Sequence, residues 1–341
     1  MWLNGGPGCS SSTGLLFELG PCRVADNGTS TTPNPHSWNT NANIIFLDQP
    51  VDVGYSYVED GSTVNTSPVA GKDVHAFLEL FLSRFPEYAS LPFHLAAESY
   101  GGTYAPNIAS VIYNENKKVP LTTSPVANNA LVRINLASVM LGNGMTDNYI
   151  QMASIPDYLC EGPYPLYDDP DGPQCQALRT KVPTCQRLAK ACYDYNSRWV
   201  CVPATLYCNS QLYAPIQRGF SSEFGVCYTE HDFFTLSESG LNPYDARRPC
   251  DRATDGPLCY QEMGWIESYM NQPEVKAALG VNAQRNFESC NMAINQAFTL
   301  QGDSMHNTPA LLPPLINDGV RLLVYAGNAG EWDSPFCLCS R

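Results

Sequence analysis

Phe93-His-Leu-Ala-Ala-Glu-Ser-Tyr-Gly-Gly-Thr-Tyr104 is the stretch on which the fold turns. It opens as an apolar run, tightens at Ala97-Glu98-Ser99-Tyr100-Gly101, and passes into a helical pattern near Ala105 to Tyr113. Small residue, any residue, Ser, any residue, Gly is a variant of the nucleophile elbow, with Ala97 at the first small position. The elbow needs small residues on both sides because strand and helix pass close there. The tight turn lifts the serine hydroxyl clear of the sheet. The N-terminus of the following helix favours the negative charge that develops in acyl transfer. A string this short arises by composition alone in roughly one chain in five, so its place between an apolar strand and a helix gives it weight.

Working outward, Asn43-Ile-Ile-Phe-Leu-Asp48 reads as a buried strand ended by Gln49-Pro50. Ser67-Pro68 predicts an N-cap followed by proline at the first helical position. Val74, Phe77, Leu78, Phe81, Leu82 and Phe85 then recur at helical spacing until Pro86 stops the helix. Ile134 to Leu141 is a further buried strand, ending in Gly142-Asn143-Gly144. This alternation predicts an α/β fold with a mostly parallel sheet and covered faces. It breaks after residue 145. Residues 146–275 hold nine cysteines and little long periodicity, the pattern of an inserted cap stapled by disulfides. Val320 to Gly327 is again a clear strand. The expected organisation is a core in two parts, 1–145 and 276–341, around a cap at 146–275. Leu312-Pro-Pro-Leu315 conflicts with the helix expected there.

Charged residues make up 15% of the 341, against about 25% in an average soluble protein, and the net charge is −14. With no Lys/Arg cluster, such a surface repels phosphate and excludes nucleic acid as a partner. The 14 cysteines show neither CxxC nor HxxxH spacing, so disulfides are the reading and no metal or cofactor is expected. The sequons Asn27-Gly-Thr and Asn65-Thr-Ser agree with an oxidising, glycosylating route, and an acidic compartment suits the charge. No signal peptide is visible, and no apolar run is long enough to span a membrane. Met1-Trp2-Leu3-Asn4 enters at the end of a strand, which leads us to expect a natural N-terminus upstream. Oligomeric state is not legible.

Leu3-Asn-Gly-Gly-Pro-Gly-Cys-Ser-Ser11 together with Ala97-Glu-Ser-Tyr-Gly-Gly-Thr-Tyr104 resembles the serine carboxypeptidases, in particular the carboxypeptidase Y type. Asn34-Pro-His-Ser-Trp-Asn39, Ile44 to Val51, Val53-Gly-Tyr-Ser56, Leu141 to Asp147, Trp199 to Ala204, Leu258-Cys-Tyr260 and Glu288-Ser-Cys-Asn291 follow in the family's order. The resemblance spans about residues 2–327. It implies an α/β-hydrolase fold with a disulfide-rich inserted cap, and removal of single residues from peptide C-termini at acidic pH. It implies Ser99 as nucleophile, the amides of Gly6 and Tyr100 as oxyanion hole, and Asn4, Gly5, Glu18 and Glu98 as receptor for the substrate carboxylate. Two glutamates can face an anion if they share a proton, since one carboxyl of a close pair titrates late. It also implies the pairs Cys9–Cys290, Cys160–Cys175, Cys185–Cys208, Cys192–Cys201 and Cys250–Cys259. Cys22 and Cys227 fall outside that pattern and are expected to pair with each other; Cys337 and Cys339 are unassigned. A vacuole-like compartment or secretion is expected.

The chain also departs from that resemblance. The strand ending at Gly327 should lead to Asp-x-Asp, but Asn328-Ala-Gly330 follows, with Gly330 at the triad position and Glu331 and Asp333 out of register. None of His36, His75, His94, His231 or His306 falls where a general base is expected. The expectation is that the C-terminal strand and helix are missing, with the catalytic Asp and His. A serine without its base is a poor nucleophile. Three functions stay open: a carboxypeptidase, a carboxypeptidase-like acyltransferase using the same serine, and a non-catalytic remnant. The paired glutamates favour the first over the second, because an acyltransferase has no terminal carboxylate to bind.

Overall fold

A computed structural model describes residues 1–119, 132–214, 240–256 and 258–330. Four parallel strands form the central sheet in the order β1 (Trp2–Leu3), β4 (Phe93–Glu98), β5 (Leu136–Gly142), β8 (Arg321–Tyr325). The remaining strands form two small antiparallel pairs: β2 (Cys22–Ala25) with β3 (Ser30–Pro33), and β6 (Leu241–Asn242) with β7 (Asp245–Pro249). In the sheet, Leu3 lies beside Ala97, Ala97 beside Leu141, and Leu141 beside Val324. All four strands therefore end at one level. The loops that leave them converge on one edge, where open α/β sheets place their ligands.

Helices α1 (Ser67–Arg84) and α2 (Gly101–Asn116) pack on each other, and α2 packs on the sheet. Val74, Leu78 and Leu82 of α1 and Tyr104, Ile108 and Ile112 of α2 share one core with Leu3, Leu95, Val139 and Leu141. Helices α3 (Asn148–Glu161), α4 (Pro173–Tyr195) and α5 (Arg198–Cys208) build a second core, in which Cys160, Cys175, Cys185, Cys192, Cys201 and Cys208 are all buried. Helix α6 (Met292–Thr299) returns the chain to the first core, to which it adds Ile294 and Phe298. Disulfides 160–175, 185–208 and 192–201 lie within the second core, and 250–259 and 9–290 lie outside it. Helix α4 ends at Asn196 in the left-handed conformation (φ 43°), a position where Asn is tolerated. These five bridges are those implied by the resemblance. The expected Cys22–Cys227 pair lies partly outside the described residues, as do Cys337 and Cys339; Cys22 itself carries no bridge.

Three expectations are corrected. Residues 43–48 form no regular strand: they touch the sheet through a single bridge, Trp2 to Phe46, and a bond from Trp2 N–H to the Ile45 carbonyl. Strand β1 is too short to support a longer pairing. Thr66, not Ser67, is the N-cap of α1, and Ser67 is its first residue, with its hydroxyl turned to Asp303 instead of its own helix. Pro313 and Pro314 cause no conflict, because helix α7 (Leu312–Asn317) begins beside them, where the missing N–H would have no partner anyway. Strand β8 borders the sheet, and its Leu323 is 52% exposed.

Candidate active site

The elbow is tight in the way its sequence demands. Ser99 has φ 56°, a strained conformation for a residue with a side chain, and it is exposed. The Ser99 amide donates to the Gly142 carbonyl at 3.1 Å, and the Ser99 carbonyl accepts from Gly102 and Met145 at 3.0 and 2.8 Å. A side chain at Gly101 would meet the Ala97 Cβ at 2.6 Å, and one at Gly102 would meet the backbone of Gly144. Small residues are therefore required where strand, helix and the loop after β5 cross.

The Asn4–Gly8 turn, leaving β1, lies directly against this corner. A Cβ on Gly5 would fall 2.9 Å from the Ser99 Cβ and 3.0 Å from the Glu98 carbonyl, and closer still to the Tyr100 amide nitrogen. Gly6 has φ 111°, open only to glycine. Among the described residues, the amides of Gly6 and Tyr100 have no hydrogen-bond acceptor. Two donors thus stand free, one next to the exposed Ser99 and one in the turn that lies against it. The turn is pinned from behind: Cys9 is bonded to Cys290, Asn291 N–H donates to the Gly8 carbonyl at 2.8 Å, Asn295 Nδ2 to the Pro7 carbonyl at 3.1 Å, and Gly8 N–H to the Tyr104 hydroxyl at 3.2 Å.

Asn4 is 4% exposed and its orientation is fixed. Its Oδ1 accepts from Trp2 Nε1 at 3.0 Å and from Gly14 N–H at 2.9 Å, so its Nδ2 must face the other way. That nitrogen donates to Glu98 Oε1 at 2.7 Å and Glu18 Oε1 at 3.1 Å. The glutamates also share a hydrogen bond, which requires a proton between them. Both residues keep some exposed surface while their carboxyl ends are desolvated. Burial raises both carboxyls, and the neighbouring charge of Glu98 holds Glu18 well above the usual range. Asn4 bonds to both carboxyls and favours charge on either, so the retained proton belongs to the pair.

Tyr325, at the end of β8, completes this wall. Its ring would collide with any side chain at Gly142, and burial with the two glutamates pushes its phenol up to about 12. Behind the elbow, Tyr100 donates its hydroxyl to Asp303 at 2.7 Å. Neither Tyr325 nor Asp303 is legible in the sequence, since each is one residue brought in from more than 200 positions away.

No described histidine bonds to Ser99. His36 sits in an exposed loop, His75 faces Glu79 at 3.5 Å on α1, His94 contacts the Ser138 hydroxyl at 2.7 Å, and His306 lies 3.6 Å from Asp303. His231, Glu331 and Asp333 lie outside the described residues. Among the described residues the Ser99 hydroxyl has no hydrogen-bond partner. Cys192, Cys201 and His306 come together with metal-like spacing, but both sulfurs are spent in one disulfide and cannot act as thiolate ligands.

The family model described as serine carboxypeptidase matches residues 1–332. The chain belongs to the serine carboxypeptidase family. It is 42% identical to "Carboxypeptidase Y homolog A" of Sclerotinia sclerotiorum over 330 residues, covering 96% of this chain and 53% of that protein. The same-named protein of Emericella nidulans is also 42% identical, with 96% and 52% covered. The chain thus spans about half the length of these relatives. In structure it resembles KEX1(DELTA)P, a prohormone-processing carboxypeptidase from Saccharomyces cerevisiae, with a TM-score of 0.77 at 23% identity, over 99% of this chain and 66% of that one. That likeness supports the α/β fold with its parallel sheet.

Proposed function

We propose that this pocket receives the free carboxylate of a peptide C-terminus, and that Ser99 is the nucleophile of a serine-type carboxypeptidase acting through an acyl-enzyme at acidic pH. The observation that carries the reading is the Asn4–Glu18–Glu98 cluster, one residue from an exposed serine. The proton shared by the Glu18–Glu98 pair is the donor this pocket offers to a carboxylate, beside Asn4 and the Gly5 backbone. The amides of Gly6 and Tyr100 are suited to the oxygen of the scissile carbonyl. Residues 146–275 act as a cap between the two parts of the core. Five disulfides and the exposed sequon at Asn27 support passage through the secretory pathway, to a vacuole-like compartment or outside. The partner is a peptide. Among the described residues no helix is long and apolar enough to cross a membrane.

The test is calorimetric titration at pH 5 with an N-blocked dipeptide and with its C-terminal amide. The acid is expected to bind at least about tenfold tighter, the scale of one charged hydrogen bond; equal affinities would overturn the reading. Release of the terminal residue, lost on Ser99→Ala, tests the hydrolytic half. A second reading, a peptide-binding protein without turnover, is favoured by the Ser99 hydroxyl having no hydrogen-bond partner among the described residues. It predicts no covalent labelling by a fluorophosphonate, and rapid stoichiometric labelling at Ser99 would exclude it.

A further inference from the structure

The stretch 290–303 touches both walls of the pocket. Cys290, Asn291 and Asn295 hold the Gly6–Cys9 turn from one side. Phe298, on α6, packs edge-on against the rings of Tyr100 and Tyr104, at 6.2 and 6.0 Å. Asp303 ends the stretch. It is fully buried, and its two oxygens accept from the Tyr100 hydroxyl at 2.7 Å, the Ser67 hydroxyl at 2.5 Å and the Ser67 amide at 2.9 Å. A carboxylate is rarely buried at all, and here it is satisfied by groups from two other elements, α1 and the start of α2.

What those bonds connect is specific. Tyr100 contributes its backbone amide to the pocket and its side chain to the interior. Ser67 begins α1, and the positive end of that helix favours a carboxylate there. The Gly5 backbone already abuts the Tyr100 amide, so a shift of Tyr100 changes the gap between the two oxyanion donors. Tyr104, one turn further along α2, holds the opposite wall through Gly8. The two tyrosines are struts of one helix to the two sides of the pocket.

We infer that Asp303 is a positioning residue: through the Tyr100 hydroxyl it holds the amide next to Ser99 in register with the Gly5–Gly6 turn. This rests on the carboxypeptidase reading and adds to it a determinant of carbonyl recognition separate from the carboxylate receptor. The ligand thereby divides in two. Binding of the carboxylate alone should not need Asp303, whereas binding of the adjoining carbonyl should.

The experiment compares 3-phenylpropanoate, which offers only a carboxylate, with an N-blocked dipeptide, which also offers the scissile carbonyl. Affinities are measured for the full chain and for Asp303→Asn, Tyr100→Phe and the double variant, with thermal melts alongside. Expected is a loss of roughly tenfold for the dipeptide in each single variant, no further loss in the double variant, and less than about twofold change for 3-phenylpropanoate. Equal losses for both ligands would mean that Asp303 only stabilises the fold. Independent, additive losses would mean that it does not act through Tyr100. If Asp303→Asn does not fold, Tyr100→Phe, which leaves the carboxylate bonded to Ser67, decides the matter through the same split between ligands. Binding of neither ligand by the unaltered chain would defeat the carboxylate reading itself, a result distinguishable from the others.

Discussion

The carboxyl pocket around Glu98 and the hydroxyl of Ser99 are neighbours in sequence and opposites in how they are held. In the pocket, the side-chain oxygen and nitrogen of Asn4 both have partners, and those partners come from β1, the helical segment Gly14–Glu18 and the end of β4. Ser99 stands exposed on a strained backbone, with no partner for its hydroxyl among the described residues. On the proposed reading, recognition is built from tightly bonded parts, while proton transfer needs a group that the described residues do not bring to the serine. On this arrangement, binding a C-terminus and cleaving it are separable tasks.

The harshest way to test that contrast is to loosen what holds the pocket while leaving its polar groups in place. Replacing both Cys9 and Cys290 by serine opens a bridge between positions 281 residues apart in sequence. Chemical denaturation should show a loss of about 2–4 kcal/mol, and dipeptide affinity should fall with it. An unchanged affinity would mean that the hydrogen bonds from Asn291 and Asn295 suffice to hold the turn. A more local break is Gly5→Ala. Its methyl group has no space against the Tyr100 amide and the Ser99 Cβ, so the two walls must part. A cost of about 1–3 kcal/mol is expected, with dipeptide binding lost in titrations at pH 5. Retained binding would show that the walls have slack.

The pH dependence sharpens the contrast without altering the chain. Glu18 and Glu98 are both raised, so the folded protein keeps a proton that the unfolded chain would release. Ligand binding should therefore be full at acidic pH and decline by up to about tenfold per unit as pH rises through the raised value. Folding stability has the same sign: the folded state holds more protons, so this contribution is intact below the ordinary glutamate range and is lost as pH climbs through the folded-state value. Titration of Glu18→Gln should flatten the binding profile. A profile that rises with pH would mean that the pair binds its ligand fully ionised, or binds a cation.

Much of this arrangement was legible because it is written in contiguous strings. The turn from Leu3 to Ser11 and the elbow from Ala97 to Gly101 each carry their glycines at positions where the structure has no room for a side chain. Their meeting follows from the parallel register of Leu3 beside Ala97. Glu18 was found by resemblance alone, since a glutamate four residues past Gly14 carries no periodic signal of burial. Asp303 and Tyr325 were missed for a different reason. Each acts on residues far away in the chain through a single polar contact or ring, and no local pattern marks an aspartate that will accept three hydrogen bonds. Ser67 shows the same limit: beside a proline it reads as a cap, yet its hydroxyl is drawn to a distant carboxylate. Local propensity loses wherever a buried charge needs donors more than a helix needs a cap.

The smallest effect tests the contrast most directly. Ser99→Ala removes only an exposed hydroxyl, and alanine inherits the same strained turn, so stability should change by no more than about 0.5 kcal/mol. Dipeptide affinity at pH 5 should stay within about twofold, because the carboxyl pocket and both free amides remain as they were. If affinity instead drops as far as it does in Gly5→Ala, the hydroxyl is itself part of the recognition site, and the separation between holding a peptide end and cutting it does not exist at Ser99. If affinity is kept while terminal-residue release disappears, the two tasks divide at a single oxygen atom.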